Sequence, residues 1–143
     1  MTSSTSVKGL IPHLHFSGEA AQAIAHYERA LGAHTAALMR WRDLPDGGVE
    51  GDEAERVMHA RLLVGPATLL VADRVTGSPS VPSNGTILLE LDDADEMARR
   101  FEALATGGRV TMPIHDAFWG AKFGILEDPF GVTWMFHLGS MND

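Results

Sequence analysis

Two histidines stand where strand alternation can use both. In IPHLHF, His13 and His15 are separated by one residue, and the apolar Leu14 and Phe16 interleave with them. On an extended chain both imidazoles leave the same face. A third, His59, lies in the strand-like run Val57 to Val64. Neutral imidazole ligates borderline metals and moves protons near neutral pH, so His13, His15 and His59 together are competent for Zn or Ni or for acid–base work. The plainer alternative is a set of cleft or interface histidines with hydrogen-bond partners and no task. Glu90 shares the parity of Thr86 and Leu88, while Ile87, Leu89 and Leu91 form the buried set. A carboxylate facing an apolar cleft has its pKa raised and becomes a candidate catalytic base. A salt bridge to Arg61 or Arg109 is the competing expectation. Trp41, Phe118, Trp119 and Phe123 are candidates for an aromatic lining suited to a planar or cationic ligand, and Met135 is a further ligand-facing position. Trp134 has core parity. His115 and Asp116, adjacent in an expected loop, are weak candidates by themselves.

The elements that position these residues begin with FWGAKFGILEDPFGVTWMFH, Phe118 to His137. Asp128, Pro129 and Gly131 fit the first, second and fourth positions of a type I turn, so the stretch is a hairpin. Its return strand sends Val132, Trp134 and Phe136 one way and Thr133, Met135 and His137 the other. Upstream, Leu10 to Phe16 is a strand. Ser17 is the expected N-cap of a helix carrying Ala20, Ile24, Tyr27 and Leu31, ended by Gly32. Strand-like segments Thr35 to Arg42, Val57 to Val64 and Thr68 to Ala72 follow, with an acidic, glycine-containing loop from Asp43 to Glu55. After Asp73 to Gly85 the order restarts: strand Ile87 to Leu91, a helix capped by Asp92 or Asp93 with Met97, Phe101 and Leu104, then strands Arg109 to Pro113, Trp119 to Leu126 and Val132 to Leu138.

The repeated order predicts an α+β fold of two βαβββ modules forming a curved sheet around a cleft. The expected division is a flexible arm, 1–9, and one domain, 10–138, whose modules 10–73 and 86–138 are joined by linker 74–85. With 143 residues, 45% of them apolar, the chain supports one such core. A formal charge of -8 excludes a nucleic-acid footprint and suits a cationic or neutral ligand, although a local group of Arg and His can act against the global sign. There is no cysteine, hence no disulfide or thiolate site. The longest apolar run, Leu62 to Ala72, is broken by Gly65 and Pro66 and is too short to span a bilayer. A cytoplasmic protein is expected. No phosphate-cradling or methyl-donor glycine loop, serine nucleophile elbow or HExxH is present.

The duplicated order, IPHLHFSGEAAQAIAHYERALG, VMHARL and FWGAKFGILEDPFGVTW together resemble the PhnB-like branch of the vicinal oxygen chelate superfamily, which includes glyoxalases, bleomycin-resistance proteins and extradiol dioxygenases. The resemblance covers Leu10 to Leu138. Catalytic members hold a divalent metal with ligands on the first and last strands of each module. Those positions fall here on Thr86 and Met135 in the second module and on Ile11 or His13 in the first, with Asp73 the sole carboxylate near the fourth. Thr86 and Met135 suit no hard or borderline metal. The resemblance therefore implies a protein that binds a small organic molecule in the inter-module cleft without the usual metal, and no cofactor is expected. A metal-dependent lyase, isomerase or dioxygenase built on the His cluster is the alternative, with a divalent metal on His13, His59 and Asp73. A homodimer is also implied, and neither nucleic acid nor membrane is an expected partner.

Overall fold

The computed structural model describes residues 9–45, 48–78, 85–117 and 120–139. The first module runs β1 (His13–Phe16), α1 (Ala20–Leu31), β2 (His34–Arg40), β3 (Val57–Val64) and β4 (Ala67–Asp73). The second runs β5 (Ile87–Leu91), α2 (Ala94–Ala105), β6 (Arg109–Asp116), β7 (Lys122–Glu127) and β8 (Thr133–Leu138). Sheet one has the order β1-β4-β3-β2 and sheet two β5-β8-β7-β6. In both, the first strand pairs in parallel with the last, and the remaining pairs are antiparallel. The same topology built twice is the expected duplication.

Each helix covers one face of its sheet. Phe16, Ala60, Leu62, Leu69 and Val71 of sheet one join Ala23, Ile24 and Tyr27 of α1 in a core that continues into Met97, Phe101, Leu104, Leu126, Trp134 and Phe136. Gly124 makes room for the Phe101 ring, whose edge would lie 3.0 Å from a Cβ placed there. The modules meet chiefly where α1 packs on α2, and no strand pairing joins the two sheets. Two cross-module bonds lock the helices: His26 Nε2 to the Leu104 carbonyl at 2.9 Å and Arg100 to the Ala30 carbonyl at 3.3 Å.

Two buried carboxylates hold the modules' ends. Asp128 opens the β7–β8 turn, and the Gly131 N–H donates to its carbonyl at 3.1 Å as a type I turn requires. Its side chain accepts from the Phe130 and Val132 N–H groups, the Trp134 indole and, across the modules, the Tyr27 hydroxyl at 2.7 Å. Burial, and then the Asp128 charge and hydrogen bond, push the Tyr27 phenol far above its ordinary pKa. Gly108 lies against this turn. A Cβ there would enter the Glu127 carbonyl and stand 2.7 Å from the Asp128 carbonyl carbon.

Several expectations are corrected. Ser17 is not the cap of α1: the N-cap is Glu19, which makes no side-chain cap bond, and Asp73 supplies the acceptor from β4. Asp93 does cap α2, accepting from the Glu96 N–H at 2.9 Å. Thr35 to Arg42 ends as a strand at Arg40, and Trp41–Asp43 form a 3₁₀ turn. The loop 43–55 includes a second such turn, Gly51–Glu55. β6 does not stop at Pro113. It is an edge strand, where a missing N–H is tolerated, so it continues to His115 and Asp116, which pair with Phe123 and Lys122.

Candidate site on the open face of sheet one

Register assigns every sheet residue to the helix side or to the opposite, open side. His13 pairs with Leu70, which pairs with Arg61; His15 pairs with Ala72; and Met39 pairs with His59. These residues share the open side, because directly paired residues point the same way. The His13 and His15 rings lie 4.2 Å apart, tilted by 38°. Partial burial, followed by the charges of His15 and His59, lowers the His13 pKa below its ordinary value. Burial lowers that of His15 as well, and the Arg74 guanidinium adds to the effect. His13 and His15 are therefore in ring contact, His59 shares their side of the sheet within reach of the His13 charge, and Arg74 lies within reach of His15.

Trp41 sits at the same end of sheet one, half-buried, its indole donating to the Asp73 carbonyl at 3.2 Å. Glu90, Met135 and Phe123 are on sheet two. Their own registers put Glu90 opposite His137 and Met135 between Leu88 and Ile125. Phe123 makes edge contacts with His115 and His137 at 6.3 and 6.4 Å. Phe118 and Trp119 lie outside the described residues. The candidate residues thus form two groups, one on each sheet.

A model of the Glyoxalase/Bleomycin resistance protein/Dioxygenase superfamily matches residues 10–136, nearly the whole chain. The chain belongs to that superfamily. Its similarity to Protein YjdN of Escherichia coli is 28% identity over 138 residues, covering 90% of this chain and 94% of that one. Protein PA1353 of Pseudomonas aeruginosa has the same fold, with a TM-score of 0.79, 36% identity, and coverage of 90% of this chain and 96% of that one. A PhnB protein from Bacillus cereus matches at a TM-score of 0.73 and 22% identity, over 92% of this chain and all of its own. The fold and the PhnB-like likeness expected from the motifs are therefore shown.

The donors expected for a superfamily metal do not fit one. Asp73 pairs with Phe16, on the helix side, opposite to the histidines. Its two oxygens take the N–H groups of Gly18, Ala20 and Val57 at 2.8, 3.0 and 3.0 Å. A carboxylate spent on three amides and aimed away from His13 and His59 completes no coordination sphere with them. Among the described residues no group of three or more His, Cys, Asp or Glu could hold an ion. Glu90 is corrected too. It is exposed rather than set in an apolar cleft, and Arg109, one of its expected partners, pairs instead with Glu127 at 2.8 Å.

Arg74 is the residue that sequence patterning missed. It follows Asp73, where composition reads as the start of a linker, yet its N–H donates to the Phe16 carbonyl at 2.7 Å and extends the β1–β4 pairing by one step. Continuing the alternation past Ala72 and Asp73 would have returned it to the His15 side. Among the described residues no helix is long and apolar enough to cross a membrane.

Proposed function

We propose that this superfamily member binds a small organic molecule on the open face of sheet one and does so without a resident metal. One observation carries the reading: His13, His15 and His59 converge on an accessible face whose only neighbouring strand carboxylate, Asp73, is turned away and fully engaged. Neutral imidazoles without a carboxylate partner are hydrogen-bonding groups for a ligand rather than a general-base dyad. Exposure of Glu90 supports binding over catalysis, since this candidate base is not enclosed in a cleft with the histidines. Met39, Leu88 and Met112, on the open faces, stay 40%, 38% and 38% exposed, which supports assembly of a homodimer in which a second copy covers part of these faces. The likeness to superfamily proteins points the same way, as fold-level analogy only.

A thermal-shift screen of small organic molecules against the wild type and His13→Ala/His59→Ala tests the reading. Compounds that stabilise the wild type and not the double variant are expected. Compounds that stabilise both equally would put the site elsewhere.

A further inference from the structure

The two sheets differ in charge in a way that bears on what the site takes. The strands of sheet one, HLHF, HTAALMR, VMHARLLV and ATLLVAD, contain a single acid, Asp73, and it faces the helices. Their open side holds His13, His15, His59 and Arg61, with Arg74 at its end. In a chain with 19 acids and 11 Lys and Arg, a strand face that contributes basic side chains and no carboxylate of its own runs against the overall composition.

Arg74 is unusual within it. Its Nε is buried and has no hydrogen-bond partner, and no carboxylate pairs with its guanidinium among the described residues. A guanidinium N–H withdrawn from water without an acceptor is a standing penalty, and an arriving oxyanion removes it. Nearby imidazoles that give up their protons readily can each donate one N–H and, next to a bound anion, regain a proton. Trp41, whose indole donates to the carbonyl of Asp73, the residue before Arg74, brings an aromatic side chain to the same end of the sheet.

We propose that the ligand of this face is a small organic anion whose oxyanion head is received by Arg74 next to His15, with its body lying toward Trp41. This rests on the reading that the open face of sheet one is the ligand site. The ligand's charge is then set by the local cluster and opposes what the net charge suggests.

Three probes with one ring and different charges separate the possibilities: benzoate, benzyl alcohol and benzylamine. Each is titrated into the full-length protein while the His13, His15 and His59 ring signals are followed by ¹H–¹⁵N NMR. Benzoate is expected to shift them saturably and more tightly than the other two. Arg74→Gln is expected to weaken benzoate by about ten- to a hundredfold, as loss of a charge-assisted pair does, with partial recovery in Arg74→Lys. Arg61→Gln gives a second variant in which the face loses charge without touching Arg74. Equal binding of benzylamine or benzyl alcohol would overturn the anion assignment and leave the ligand site standing. Benzoate shifts confined to residues away from these histidines would overturn the site itself. Loss of the assembled state in Arg74→Gln by sedimentation, with no response to benzoate, would assign Arg74 to the second copy and overturn the proposal.

Discussion

Sheet one and sheet two share their strand order and differ in what their acids do. Sheet two carries Glu90, Asp116 and Glu127 on its strands, and the last two are neutralised locally, by Lys122 at 3.0 Å and Arg109 at 2.8 Å. Sheet one spends its only strand acid on backbone amides, and among the described residues the basic side chains of its open side form no ion pair with a carboxylate. The shared topology serves the helix-side packing, which both sheets need. The open faces are under no such demand and differ in their charges. Helix-side packing and open-face chemistry are therefore separable in this chain.

The largest effect should come from the buried carboxylate of the second module. Asp128→Ala would leave the Tyr27 hydroxyl, the Trp134 indole and two backbone N–H groups without their acceptor, at a cost of about 3–5 kcal/mol in urea unfolding. Asp73→Ala, its counterpart, strands only backbone donors, and a loss of about 2–4 kcal/mol is expected. If Asp73 proved the more damaging of the two, the cross-module knot at Asp128 would not be the stronger tie. Gly108→Ala should cost about 1–3 kcal/mol by forcing the Asp128 turn away from the end of α2, again read as an unfolding midpoint.

How much of this was legible in sequence depended on the kind of signal. Alternation placed His13, His15, Trp134 and the core side of β5 correctly, because a half-buried strand must follow the pleat. The Asp-Pro-Phe-Gly turn was legible because its residues act on their own backbone. The cap of α1 was not, since Asp73 reaches it from 53 residues away in sequence. Nor was Arg74, whose position depends on a strand pairing that runs past the composition boundary. His115 was hidden by Pro113, which reads as a strand end unless the strand lies at an edge.

Smaller effects probe the open face directly. Leu70 stands between His13 and Arg61, so Leu70→Glu would give sheet one the carboxylate it lacks. That carboxylate would stand on the open side, the side opposite Asp73, so the His13 titration midpoint in NMR is expected to rise in the variant, and no movement would remove His13 from that neighbourhood. The wild-type pH dependence should be smaller still. His13 and His15 have folded pKa values below that of an ordinary imidazole, so the folded state binds protons less readily than the unfolded one. Their contribution to stability is complete above the unfolded pKa and declines as pH falls through it toward the folded values. Stability between about pH 7.5 and 5.5 should therefore fall less in His13→Ala/His15→Ala than in the wild type, with solvent screening keeping the difference small.

On the proposed reading the histidine face takes a ligand without a metal. Elemental analysis of untagged full-length protein, purified without chelators and then incubated in turn with Zn, Ni, Fe and Mn, tests it most directly. No stoichiometric metal is expected in any sample, with the His13 and His59 ring signals unchanged. A stoichiometric ion that disappears in His13→Ala/His59→Ala would contradict it and return the chain to the metal-dependent chemistry of its superfamily.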